Sequence, residues 1–265
     1  MTAPCVPLPV TSSRTSTPGA PSRGPDPVVL ESVSKRYGRR HGVDALRDVS
    51  ARFGRGSLTA VMGVTGSGKS TLLQCAAGLD APTGGTVRLA GTDLKTLSRR
   101  KLSVLRRRRV GFVFQSLNLV PTLTVAENIA LPLRLDGRRV PRDQVRQLAE
   151  RVGIGALLGR LPHTLSGGQQ QRTAIARALI TSPEVIFADE PTAALDLVTA
   201  ERVLGLLRQA VDELGQTVVV VTHDPAVAGH ADRVLVLDGG RLVDELAGPD
   251  PATVDRLLRS LGGRR

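Results

Sequence analysis

The run GVTGSGKS, Gly63 to Ser70, decides the fold. It follows G-x-x-x-x-G-K-[ST], the spacing of a phosphate-binding loop. Gly63, Gly66 and Gly68 free the backbone to close into a tight turn with its N–H groups pointing inward. The following helix adds its own N-terminus to that cradle. Lys69 supplies a point charge for the β- and γ-phosphates, and Ser70 a hydroxyl for Mg²⁺. The flanks agree. SLTAVM (57–62) reads as a buried strand, and STLLQCAAG (70–78) reads as a helix stopped by Gly78.

Outward from the loop, length and composition set the frame. The chain has 265 residues, 41% of them hydrophobic, so it can bury the core of one large α/β domain. Aromatics are only 2%, which leaves Val, Leu, Ile and Ala to fill that core. No run approaches the roughly 18–20 apolar residues that cross a bilayer, and the N-terminus lacks a basic-then-apolar signal pattern. A cytoplasmic chain is expected, with any membrane role carried by a partner. Cys5 and Cys75 suggest neither a disulfide framework nor a metal site.

The net charge is +12, densest at Arg99, Arg100, Lys101 and Arg106–Arg109. Such charge suits nucleic acid, an anionic membrane surface, or simply an Arg-rich composition. No aromatics are interleaved for base stacking, so direct nucleic-acid binding is not expected.

Residues 1–26, rich in Pro, Ser and Thr, read as a disordered tail, and 27–265 as the folded unit. VVLESVSKRY (28–37) alternates like an exposed-edge strand. ALRDVSARF (45–53) reads as its antiparallel neighbour. Tyr37 is the only tyrosine. Its ring can stack on adenine, or it is a surface side chain at a strand end. PTGGTVRLAGTDL (82–94) gives a turn, a short strand and a turn. Residues 97–105 look helical, and VGFVFQ (110–115) is an apolar strand that ends on Gln115. In open α/β sheets ligands bind at that carboxyl edge, although many strands end in glutamine.

Residues 116 to about 180 hold only helical spacing broken by Pro and Gly, which predicts an inserted helical lobe. VIFAD (185–189) then reads as a central parallel strand that delivers Asp189 and Glu190 to the sheet edge. Asp189 is placed to support Mg²⁺, and Glu190 to orient and deprotonate water. TVVVVTHD (217–224) delivers His223, which can contact a γ-phosphate or serve as an ordinary polar residue. RVLVLDGGRLV (233–243) looks like a hairpin, and a helix closes the chain at 251–261. The order predicts a mostly parallel sheet with helices on both faces.

LSGGQQQR (165–172) opens a helix that Ser166 can cap, with Gly167 and Gly168 leaving the backbone open. This is a second helix N-terminus suited to phosphate. One triphosphate already has a loop, so the second site fits the ATP of another copy. A head-to-tail dimer with two composite sites follows.

From 28 to 245 the chain resembles the ATP-binding subunits of ABC transporters. The resemblance is carried by Tyr37, GVTGSGKS, Gln115, LSGGQQQR, VIFADE, Asp196 and His223, in the family order. GFVFQSLNLVPTLTVAENIALPL looks most like the branch of lipoprotein release, macrolide or peptide export and cell-division permeases. The resemblance implies a P-loop NTPase fold with an antiparallel β subdomain and an α-helical subdomain. It implies that Tyr37 stacks on adenine. It assigns Gly63, Val64, Thr65, Gly66, Ser67, Gly68, Lys69, Ser70 and Thr71 to the phosphates, with Ser70, Gln115 and Asp189 at Mg²⁺. It makes Glu190 the general base, with His223 and Gln115 beside the reaction. Ser166, Gly168 and Gln169 act on the partner copy's nucleotide, Asp196 signals across the dimer, and a permease helix docks near Gln115.

Val64 and Thr65 depart from the usual loop, and TAAL before Asp196 departs where Ser or Gly often stands near Ala193. Neither change removes a catalytic group. The implied function is an ATPase driving a separate permease from the inner face of the membrane, leaning toward export or extraction. The alternatives are a soluble ABC-type ATPase acting on nucleic acid or ribosomes, and a non-transport membrane complex of the cell-division type. The absence of a second cassette or a long coiled coil counts against the soluble reading.

Overall fold

The computed structural model describes residues 25–38, 42–248 and 250–262. The expected tail lies outside them except for its last two residues. Strands β1 (Val28–Tyr37) and β2 (Val43–Phe53) pair antiparallel, Val28 opposite Phe53 and Tyr37 opposite Val43. β3 (Leu58–Met62) runs into the phosphate loop and helix α1 (Lys69–Ala76). β4 (Gly84–Leu89) and the short β5 (Thr92–Asp93) complete a first sheet of order β2-β1-β4-β5. β1 is therefore an interior strand of that sheet, not the exposed edge its alternation suggested. Its buried Val28, Leu30 and Val33 face the core while β2 and β4 flank it. Alternation reports a half-buried face and says nothing of how many neighbours a strand has.

Helix α2 (Arg99–Arg109) starts one residue after Ser98, whose hydroxyl accepts from Lys101 N, and continues four residues past the expected stop at 105. Its last turn is held from outside. Arg106 donates to the Gly78 carbonyl, Arg107 to that of Leu135, Arg108 pairs with Asp136 and Arg109 with Glu184. Four of the seven residues of the basic cluster thus serve as internal struts.

β6 (Val110–Val113) is followed by α3 (Val125–Leu135), α4 (Arg142–Arg151) and α5 (Gly167–Leu179). Then come β7 (Val185–Asp189), α6 (Leu197–Leu214), β8 (Val218–Thr222), β9 (Arg233–Asp238), β10 (Arg241–Ala247) and α7 (Pro251–Gly262). The second sheet has order β10-β9-β3-β8-β7-β6. Its inner pairs are parallel, and β10 returns antiparallel through the expected hairpin. The fold is α/β as expected, a mostly parallel sheet beside an antiparallel one.

Both faces of the parallel sheet are covered, and period-two alternation divides its side chains between two cores. Leu58, Ala60, Met62, Ile186, Ala188, Val218 and Val220 pack with residues of α3 to α7. Val61, Val185, Phe187, Val219 and Val221 pack with α1 and the antiparallel sheet. Val218 to Val221 are all fully buried, each contributing about 1.5–3 kcal/mol by burial. This is why the strand runs read as unbroken apolar segments.

Register then lines up the carboxyl ends. Met62 pairs with Thr222, Val221 with Asp189, and Val113 with Ala188. The phosphate loop, Thr222–His223 and Asp189–Glu190 consequently leave neighbouring strands along one edge.

Candidate active site

The phosphate loop is shaped by contacts that the motif does not mention. A Cβ on Gly63 would stand 2.1 Å from the Leu237 carbonyl oxygen, and one on Gly68 would stand 2.3 Å from that of Ala45. Gly66 has open space around it and needs glycine only for its φ of +79°. The hairpin turn after β9 buttresses the loop, with Gly240 N donating to the Ser67 carbonyl at 3.0 Å. α1 ends as expected at Gly78. Gly78 N bonds the Cys75 carbonyl and Leu79 N the Gln74 carbonyl, closing a Schellman motif.

Lys69 donates to the carbonyls of Gly63 (2.8 Å) and Val64 (3.1 Å), which curls its ammonium back over the loop. Burial lowers its pKa, and the charges of Glu190 and Asp189 oppose that shift. Ser70 Oγ lies 3.4 Å from Asp189 Oδ1. Burial pushes the Asp189 carboxyl up, with Ser70 and Lys69 opposing it.

Glu190 has a φ of +45°, so the chain turns sharply as β7 ends. Its N–H donates to the Val221 carbonyl at 2.8 Å. Its Oε1 lies 2.7 Å from His223 Nδ1, and its Oε2 accepts from Thr222 Oγ1 at 3.0 Å. The structure thus gathers Lys69, Ser70, Asp189, Glu190 and His223 as the sequence predicts.

Tyr37 is half exposed and held in place. Its hydroxyl donates to Asp80 Oδ2 at 2.8 Å, and the Lys35 ammonium lies 4.8 Å over its ring centroid while bonding Asp80 Oδ1 at 2.6 Å.

Gln115 is not brought into the cluster. β6 stops at Val113, and Gln115 lies in the turn beyond it, its exposed side chain without a hydrogen bond to another described residue. Phe114, which extends the apolar run in sequence, already lies outside the strand. Leu117 and Asn118 follow with φ of +58° and +49°. Their carbonyls are capped by the buried guanidinium of Arg177, at 2.5 and 2.6 Å. Burial lowers the Arg177 pKa.

Ser166 caps α5 as expected. Gln169 N donates to Ser166 Oγ, and Gln169 Oε1 accepts from Ser166 N, a reciprocal capping box. No hydrogen bond among the described residues joins Ser166, Gly168 or Gln169 to the phosphate loop. Gly168 packs on α6, where its Cβ would meet Thr199 Cγ2 at 2.4 Å. Asp196 caps α6, accepting from Thr199 N at 3.0 Å.

The family model described as ABC transporter matches residues 46–193. The chain belongs to the ABC transporter family. The macrolide export ATP-binding/permease protein MacB of Rhodospirillum rubrum is 46% identical to this cassette over 226 residues, 83% of the chain and 34% of that protein. The cassette thus spans about a third of that relative. The bacitracin export ATP-binding protein BceA of Halalkalibacterium halodurans is 38% identical over 82% of the chain and 88% of its own length. Among solved structures, the dimeric ATP-binding cassette MJ0796 in a post-hydrolysis state with ADP and Pi superposes with a TM-score of 0.78. It is 39% identical, and the match covers 84% of this chain and 99% of that one.

Four contributors escaped the sequence reading. Asp80 follows the helix stop as a lone acid, and Arg177 sits in the last turn of α5 among Ala and Leu. The Gly239–Gly240 turn read only as a hairpin. Thr222 stood beside His223 at the end of β8, and that adjacency was the available signal.

Proposed function

We propose that this cassette binds and hydrolyses ATP, and that two copies drive a separate membrane permease. The observation that carries the reading is the single sheet edge where Lys69, the Ser70–Asp189 pair and the Glu190–His223 pair converge. Lys69 neutralises the β- and γ-phosphates while the loop N–H groups hold them. The ring of Tyr37, braced by Asp80, stacks on the adenine.

The donor set fits Mg²⁺. Ser70 and Asp189 offer hard oxygen ligands, and no group of three or more His, Cys, Asp or Glu residues among the described ones forms an all-protein metal cage. Mg²⁺ characteristically takes one or two protein ligands and completes its shell with phosphates and water. Ser70 and Asp189 would hold it, with Gln115 reaching it from the turn after β6. When bound it neutralises charge on the transferred phosphoryl group.

Glu190 takes a proton from water as the water oxygen bonds the γ-phosphorus. The bond to the β,γ-bridging oxygen breaks, and ADP departs with that electron pair. His223 holds the γ-phosphate. Ser166, Gly168 and Gln169 at the start of α5 complete the site of the partner copy in a head-to-tail sandwich. Residues 27–265 act as one ATP-binding unit, with 116–180 as its helical subdomain. No helix among the described residues is long and apolar enough to cross a membrane. The proposed place is the inner membrane face, reached through a permease that sets substrate and direction.

The partner is tested by capturing tagged Glu190→Gln protein with ATP from detergent-solubilised host membranes. Co-elution of a multi-span membrane protein near equal stoichiometry is the expected result. Recovery of soluble protein or nucleic acid alone would overturn the permease reading.

A further inference from the structure

The Glu190 carboxylate is held at both oxygens, and the two holds differ in kind. His223, on Oε1, is well exposed at 63%, whereas Thr222, on Oε2, is fully buried. Thr222 Oγ1 also accepts from Asp224 N at 3.1 Å, which directs its one O–H onto Glu190. The Glu190 N–H is pinned to Val221, one residue earlier on the same strand. β8 therefore fixes both the backbone and the carboxylate of Glu190.

We propose that Thr222 is the positioning residue of the catalytic base. It keeps the Glu190 carboxylate in its proton-accepting orientation when His223 leaves Oε1 for the γ-phosphate. This deepens the ATPase reading above and rests on it. His223, being solvent-exposed, swings at little cost. A base with no second anchor would then sample rotamers that miss the water, and a misplacement of about 1 Å can cost about a hundredfold in rate. Thr222 is fully buried and bonds the carboxylate itself, so it acts through Glu190. The competing view is that its hydroxyl only closes the turn onto Asp224 N.

The test measures kcat and KM for Mg·ATP in the full chain with Thr222→Val, Thr222→Ser and Thr222→Ala, beside Glu190→Gln. Thr222→Val is expected to lower kcat about ten- to a hundredfold, with KM within about twofold because the phosphate loop is untouched. Thr222→Ser restores kcat to within about threefold. Should Thr222→Val fail to fold, Ser and Ala carry the test, since both lose the methyl and differ by the hydroxyl alone. Equal kcat for Ser and Ala, or a wild-type kcat for Val, overturns the positioning role while leaving an inactive Glu190→Gln and the ATPase reading intact. A Glu190→Gln chain that turns over normally overturns the reading underneath.

Discussion

The guanidinium of Arg177 donates to the Asn118 carbonyl at 2.6 Å, joining the last turn of α5 to the turn that follows Gln115. Arg177 is buried and bonds backbone oxygens in place of an acid. Two successive left-handed residues, Leu117 and Asn118, depend on it. The helix that Ser166 caps and the turn that carries Gln115 are thereby one mechanical unit. Arg177→Leu should lower the unfolding free energy by about 2–3 kcal/mol, the scale of lost hydrogen bonds to a charged group. Urea denaturation checks it, and an unchanged midpoint would show that the turn holds itself.

The three loop glycines should not be equivalent. Gly66→Ala meets no atom and faces only its left-handed φ, a cost of about 1–2 kcal/mol. Gly63→Ala and Gly68→Ala drive a methyl into backbone oxygens and should abolish ATP binding. Calorimetric titration with ATP on folded variants distinguishes the two classes.

Asp80 should govern the Tyr37 ring. Asp80→Ala is expected to weaken ATP binding several-fold, and Tyr37→Phe to do less, because the ring survives. Burial would raise the Asp80 pKa, but the hydrogen bonds from Lys35 and Tyr37 outweigh it and the net shift is downward. A depressed carboxylate pKa contributes stability above its unfolded value, near 3.9, and loses it as pH falls through the folded value. The stability gap between wild type and Asp80→Asn should therefore be flat at neutral pH and close below about pH 4. Thermal unfolding across that range measures it.

Gly168 should tolerate alanine only if Thr199 gives way. Gly168→Ala is expected to destabilise by about 1–3 kcal/mol through overpacking. Thr199→Ser, which removes the Cγ2 methyl, should recover most of that. A double-mutant cycle by chemical denaturation tests the pair, and simple additivity would place the strain elsewhere.

The sequence was most legible where one residue type meets one physical demand. GVTGSGKS, VIFAD and TVVVVTHD announced both their elements and their edge because apolar runs ending in polar groups have few other readings. Legibility failed where partners come from distant segments. Nothing local to 28–37 tells that β4 pairs on its second side. Nothing local to Arg106–Arg109 tells that acids and carbonyls from other elements await them. The strand at 110–115 looked two residues too long because Phe114 is apolar without being paired. Gln115 was thus placed on a strand end although it lies in a turn.

The most direct measurement is phosphate release from Mg·ATP by the purified Glu190→Gln chain, with ATP affinity taken on the same sample. The account predicts near-wild-type affinity and turnover reduced at least about a hundredfold. Turnover near wild type with intact binding would contradict the assignment of Glu190 as the base and, with it, the central claim about this sheet edge.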